Sequence, residues 1–86
     1  MNLRPEEMTS VLNRLRRAQG QLGAVIRMIE EGSDCEKTVT QLAAVCRALD
    51  KAGFAIIAGG LHRCFAEGED SGIDPARLER LMLSLA

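Results

Sequence analysis

With 86 residues, no tryptophan or tyrosine and only Phe54 and Phe65 as aromatics, the chain makes one domain with an aliphatic core, which suits packed helices and argues against sheets. A net charge of −1 from 11 basic and 12 acidic residues excludes a uniformly basic nucleic-acid binder. Three cysteines without C-x-x-C spacing exclude a disulfide framework and predict free thiols in a reducing compartment.

Asn2 to Glu7 is a polar lead-in, with Pro5 suited to a first helical turn and Glu6 and Glu7 near the positive end of the helix dipole. It lacks the apolar h-region of a signal peptide, which predicts a cytoplasmic protein. From Met8, apolar residues Val11, Leu12, Leu15, Ala18, Leu22, Val25, Ile26 and Ile29 follow helical spacing and predict a first helix ending at Glu31. Gly20 and Gly23 fall inside it, which predicts a close helix contact there. Between Met8 and Ile29 stand Arg14, Arg16, Arg17 and Arg27, and no acid. Such clustering fits a phosphate-contacting stripe as well as a solvated face.

Gly32 is the expected left-handed stop, and Ser33 or Asp34 caps a second helix that runs to Gly68. So short a link forces an antiparallel hairpin. One face of this helix carries Val39, Leu42, Cys46, Leu49, Gly53, Ile56, Gly60 and Cys64. The longest apolar run, Ala52 to Leu61, is too short to span a bilayer. Asp74 and Pro75 then start a short third helix, whose Leu78, Leu81, Met82 and Leu85 are placed to cover one end of a bundle.

Cys35 and Cys64 lie only about 20° apart in azimuth on the second helix but about 43 Å apart along it. They cannot meet within one straight helix. Two copies packed antiparallel about a two-fold axis would bring them together, with the numbers of facing residues summing to about 99. Leu42 then faces Ile57, Ala43 faces Ile56 and Cys46 faces Gly53. The predicted architecture is all-α: three helices per chain, a four-helix-bundle dimer and, through the third helix, a dimer of dimers.

Cys46 reads as core filler and His62, about 160° round the helix from Cys64, as a partly exposed residue outside any cysteine site. There is no Walker loop, paired-carboxylate set, Ser-His-Asp set, helix-turn-helix or zinc finger, so no enzyme activity or catalytic residue is predicted.

The run Arg14-Leu15-Arg16-Arg17-Ala18-Gln19-Gly20-Gln21, then Arg27-Met28-Ile29-Glu30, Cys35, Gln41-Leu42-Ala43-Ala44-Val45 and Ala48-Leu49 resembles the CsoR/RcnR family of bacterial transcriptional repressors across nearly the whole chain. The resemblance implies that residues 1–86 form a single helical regulator domain. It also implies a homodimer or homotetramer that binds operator DNA and releases it when an inducer occupies inter-subunit cysteine sites. It makes Arg14 and Lys51 the leading DNA contacts, supported by Arg16 and Arg17, and makes Cys35 and Cys64 the inducer-sensing pair.

In the family's copper sensors a histidine lies one turn before the second cysteine; here that position is Gly60. The nickel and cobalt sensors need several imidazoles, and the formaldehyde sensors lack the second cysteine. What remains is similar to the CstR-like branch, which responds to reactive sulfur species through a bridge between the thiols and needs no cofactor or metal. The alternatives are a Cu(I) sensor using the thiolates of Cys35 and Cys64, a thiol-persulfide carrier with no DNA role, and a purely structural helical dimer.

Overall fold

The computed structural model describes residues 2–86 and, among them, contains helices and no strand, the expected all-α class. A 3-10 turn, Pro5–Glu7, precedes α1, Thr9–Glu30. Helix α2, Cys35–Glu67, follows, and a second 3-10 turn, Gly68–Ser71, leads to α3, Pro75–Leu85. No helix among the described residues is long and apolar enough to cross a membrane.

Pro5 does not open the first helix as the sequence suggests. Its turn is separate, because Met8 leaves helical geometry at φ −105° and ψ 12° before α1 begins. Two contacts hold this lead-in. Arg4 forms a two-pronged pair with Glu67 at the end of α2, at 2.8 and 3.2 Å, and Met8 is buried with Val11 and Ala52.

The turn between α1 and α2 satisfies the last carbonyls of α1 in a reciprocal pattern. Ser33 N donates to Met28 O at 2.8 Å and Gly32 N to Ile29 O at 3.1 Å, with Gly32 at φ 69°, where a side chain would be strained. Asp34 then caps α2 by accepting from Lys37 N at 2.9 Å. Val11, Ala18 and Val25 recur every seven residues on the buried stripe of α1, as Val45 and Ala52 do on α2. Matching seven-residue stripes keep two nearly antiparallel helices in contact, and the alanines let the backbones approach. Gly20 and Gly23 lie elsewhere. A Cβ at Gly20 would meet nothing within 4 Å, and one at Gly23 only the Arg27 side chain of its own helix, so neither marks a helix contact within the chain.

Asp74 caps α3 through Ala76 N at 3.0 Å, with Pro75 at its first position. The helix folds back along the C-terminal half of α2. A Cβ added at Gly60 would stand 3.2 Å from Leu78, and one at Gly53 would stand 2.8 Å from Leu85. Leu78 is buried with Ile57 and Ile73, and Leu61 and Cys64 pack against that cluster. Leu81 and Met82, expected to help cover an end of the bundle, stay largely exposed. The face holding the cysteines is therefore half occupied by the chain's own α3. Its N-terminal half remains open at Val39, Leu42 and Leu49, as do Leu22, Ile26 and Ile29 of α1. These helices form a slab of 53 × 25 × 13 Å.

Candidate functional site

Arg14, Arg17 and Gln21 follow one another at steps of three and four on α1, so they share a face. On α2, Ala44 and Ala48, and Arg47 and Lys51, are each four residues apart, and the seven residues wall one groove between the helices. The alanines leave it open, while long cationic side chains stand on both sides. Arg14 and Lys51 also line an adjoining recess with Phe54, Ala55 and Ala58. Among the described residues only Arg4 forms ion pairs, with Glu7 and Glu67, so the four groove cations have no carboxylate partner. Such a cluster attracts anions.

Three of the four residues that the resemblance makes candidates for contacting DNA, Arg14, Arg17 and Lys51, thus lie together. Arg16 does not join them. It follows Arg14 by two residues, about 200° round α1, and lies outside the groove. Sequence reading missed Arg47, although its position four residues before Lys51 was a usable signal.

The thiols are placed differently. Cys35 is exposed at the first position of α2, Cys46 is exposed midway, and Cys64 is half-buried near the far end. Cys64 Sγ donates to Ile73 O at 3.4 Å and borders a recess with Gly68, Glu69, Ile73 and Pro75. All three cysteines are free. Within one chain Cys35 and Cys64 stay about 43 Å apart, as the helix rise requires. His62 is exposed.

The sequence matches the family model described as "Metal-sensitive transcriptional repressor" over residues 7–86. The chain belongs to that family.

Members of this repressor family are also its relatives by sequence. It is 31% identical over 77 residues to the copper-sensing transcriptional repressor CsoR of Mycobacterium ulcerans, an alignment covering 90% of this chain and 66% of that protein. The CsoR of Bacillus subtilis is 26% identical over 77 residues, covering 90% and 76%. The uncharacterized protein YrkD of Bacillus subtilis is 38% identical over 58 residues, covering 67% and 92%. The chain thus spans just under two thirds of the length of the mycobacterial relatives, 66% for one and 61% for another. No solved structure matches it.

The family description raises the question of a metal. Among the described residues no three His, Cys, Asp or Glu side chains come together to hold one. Each end of α2 offers a single sulfur, and Gly60, one turn before Cys64, supplies no donor. The described residues of one chain bring no such donor set together.

Proposed function

We propose that this repressor-family chain binds operator DNA through the groove of Arg14, Arg17 and Lys51, and senses reactive sulfur species through Cys35 of one copy and Cys64 of another. Convergence of unpaired cations from two helices supports the DNA face; it is the observation that carries this reading. The thiol pair is supported by the two sulfurs at opposite ends of one face of α2. Two thiols and a sulfane sulfur suffice for covalent chemistry. A thiolate at Cys35 attacks the outer sulfur of a persulfide RSSH, which leaves as RSH and gives a persulfide on Cys35. Cys64 of the second copy attacks the inner sulfur, expelling hydrogen sulfide and closing the disulfide. Two protein thiols are oxidised, and the sulfane sulfur is reduced to hydrogen sulfide. Longer polysulfides leave longer bridges.

Assembly follows from the exposed apolar side chains of both long helices, which a second copy would bury. The antiparallel register expected for α2 places Leu42 against Ile57 and Cys46 against Gly53 of another copy, yet Ile57 and Gly53 lie under the chain's own α3. Pairing in that register requires α3 to lift from α2 or to pass to the other copy. Bridging the thiols would thus change helix packing and displace the cationic groove from DNA.

The second reading is a Cu(I)-responsive repressor with one thiolate from each copy, favoured by the relatives named as copper sensors. Mass spectrometry of reduced protein after polysulfide and, separately, Cu(I), with DNA binding measured on the same samples, separates the two. Expected is a Cys35–Cys64 inter-chain crosslink with lost DNA affinity. Stoichiometric Cu(I) that releases DNA, with polysulfide leaving it bound, would replace the first reading by the second.

A further inference from the structure

We propose that Arg47 is a phosphate contact of this protein and completes a two-helix clamp on duplex DNA; the inference rests on the reading of the groove as the DNA face. Arg47 is exposed on α2, one turn before Lys51, and faces Arg14 and Arg17 across a floor made by Ala44 and Ala48. Three residues of helix span about 4.5 Å and four about 6 Å, while packed helices stand about 8–10 Å apart. The four cations therefore form a compact quadrilateral, two on each helix, instead of a line along one of them. A line would track one row of charges, whereas a quadrilateral grips a curved anionic strand from both sides. Among the described residues none of the four is ion-paired with a carboxylate.

A second observation comes from Gln21 in the wall of the same groove. Its side-chain Oε1 is buried and has no hydrogen-bond partner in the chain. Side-chain amide O and N are distinguished only by their partners, so a polar atom awaiting one is buried there in either orientation. The groove wall thus keeps one polar atom without a partner beside the four cations.

The contact is to backbone, so Arg47 contributes affinity and salt dependence without base preference. The test is anisotropy titration of full-length reduced protein against two probes, a duplex of its own upstream DNA and a scrambled duplex, over a salt series. Arg14→Ala, Lys51→Ala, Arg47→Ala, Arg47→Lys and the remote Arg77→Ala are compared, with helicity checked by circular dichroism. Arg47→Ala is expected to weaken both duplexes by the same factor, on the order of tenfold. It should also reduce the slope of log K against log salt by about 0.9 for each copy on DNA. Arg47→Lys restores most of the slope, and Arg77→Ala changes neither quantity. If Arg14→Ala and Lys51→Ala flatten the slope and Arg47→Ala does not, the role of Arg47 is overturned while the DNA face stands. A slope unmoved by all three overturns the DNA face itself. Tighter binding to single-stranded RNA of the same sequence overturns the choice of duplex as partner.

Discussion

Cys64 Sγ donates a hydrogen bond to the carbonyl oxygen of Ile73, the residue that precedes the Asp74 cap of α3. A candidate sensing thiol is thereby tied to the root of the helix that lies over Gly60 and Gly53. A thiolate, persulfide or metal-bound sulfur has no such proton to give, so chemistry at Cys64 removes this tie. Sulfur hydrogen bonds are weak, about 0.5–1 kcal/mol, yet α3 has only one buried residue, Leu78, to hold it. Cys64→Ala is expected to raise amide hydrogen exchange in α3 several-fold while leaving α1 unchanged. Cys64→Ser, which keeps a donor, should stay near the parent. Equal exchange in Cys64→Ala and the parent would show that the contact does not hold α3.

The glycines under α3 give opposite expectations for one substitution. Ala gains up to about 1 kcal/mol over Gly in a helix interior. At Gly53 the new methyl meets the end of Leu85, the partly exposed last residue of α3, which can swing aside. Gly53→Ala should be neutral or slightly stabilising. At Gly60 the methyl meets Leu78, buried with Ile57 and Ile73, where overpacking costs typically about 1–3 kcal/mol. Gly60→Ala should destabilise by roughly 1 kcal/mol net in chemical denaturation. The reverse order, with Gly53→Ala the worse variant, would mean that α3 does not rest on Gly60.

Much of this was legible from the chain itself. Gly32, Asp34, Gly68 and the Asp74-Pro75 pair each carry a local signal that depends only on their own backbone, and the helix boundaries fell where those residues put them. Family resemblance singled out Arg14 and Lys51 one by one; that they share a groove follows only from the packing of α1 on α2. What the sequence hid depends on distant partners. The lead-in turn at Pro5 is tied to the far end of α2 by Arg4 reaching Glu67, 63 residues away. The cover over Gly53 and Gly60 depends on which way α3 turns after Gly72, and apolar periodicity on α2 looks the same whether a second copy or its own α3 covers it. Arg47 stands apart in sequence from the arginines of α1, and only the packing of α2 on α1 brings it beside them.

The Arg4–Glu67 pair sets a pH dependence. Hydrogen bonds from Arg4 hold the Glu67 carboxyl below its ordinary value of 4.5, against a burial contribution in the opposite direction. A carboxyl depressed in the folded state stabilises above its unfolded pKa, and the contribution is lost as pH falls through the folded value. The pair is partly exposed, so salt screens it. Glu67→Gln is expected to reduce stability at neutral pH and to flatten the acid limb of a stability-against-pH curve below pH 4.5. An acid limb as steep as the parent's would assign the acid sensitivity to other carboxyls.

Arg16 and Arg17 are neighbours in sequence but lie on different sides of α1, which makes them a sharp pair of variants. Arg17 lines the groove with Arg14, whereas Arg16 is about 100° further round α1 and outside it. If phosphate is gripped in the groove, Arg17→Ala should lower the salt slope of DNA binding by about 0.9 per bound copy. Arg16→Ala removes the same formal charge from the same turn and so tests whether place or total charge matters. Its expected loss is the smaller one, limited to the long-range attraction that salt of about 0.15 M screens beyond about 8 Å. The two variants should therefore differ in slope: Arg17→Ala has the shallower one, with a deficit largest at low salt that closes by about 0.9 log units per tenfold rise in salt, while Arg16→Ala stays nearer the parental slope with a smaller deficit. Equal slopes and equal deficits would mean that DNA follows the whole basic surface of α1 and not the groove between the helices.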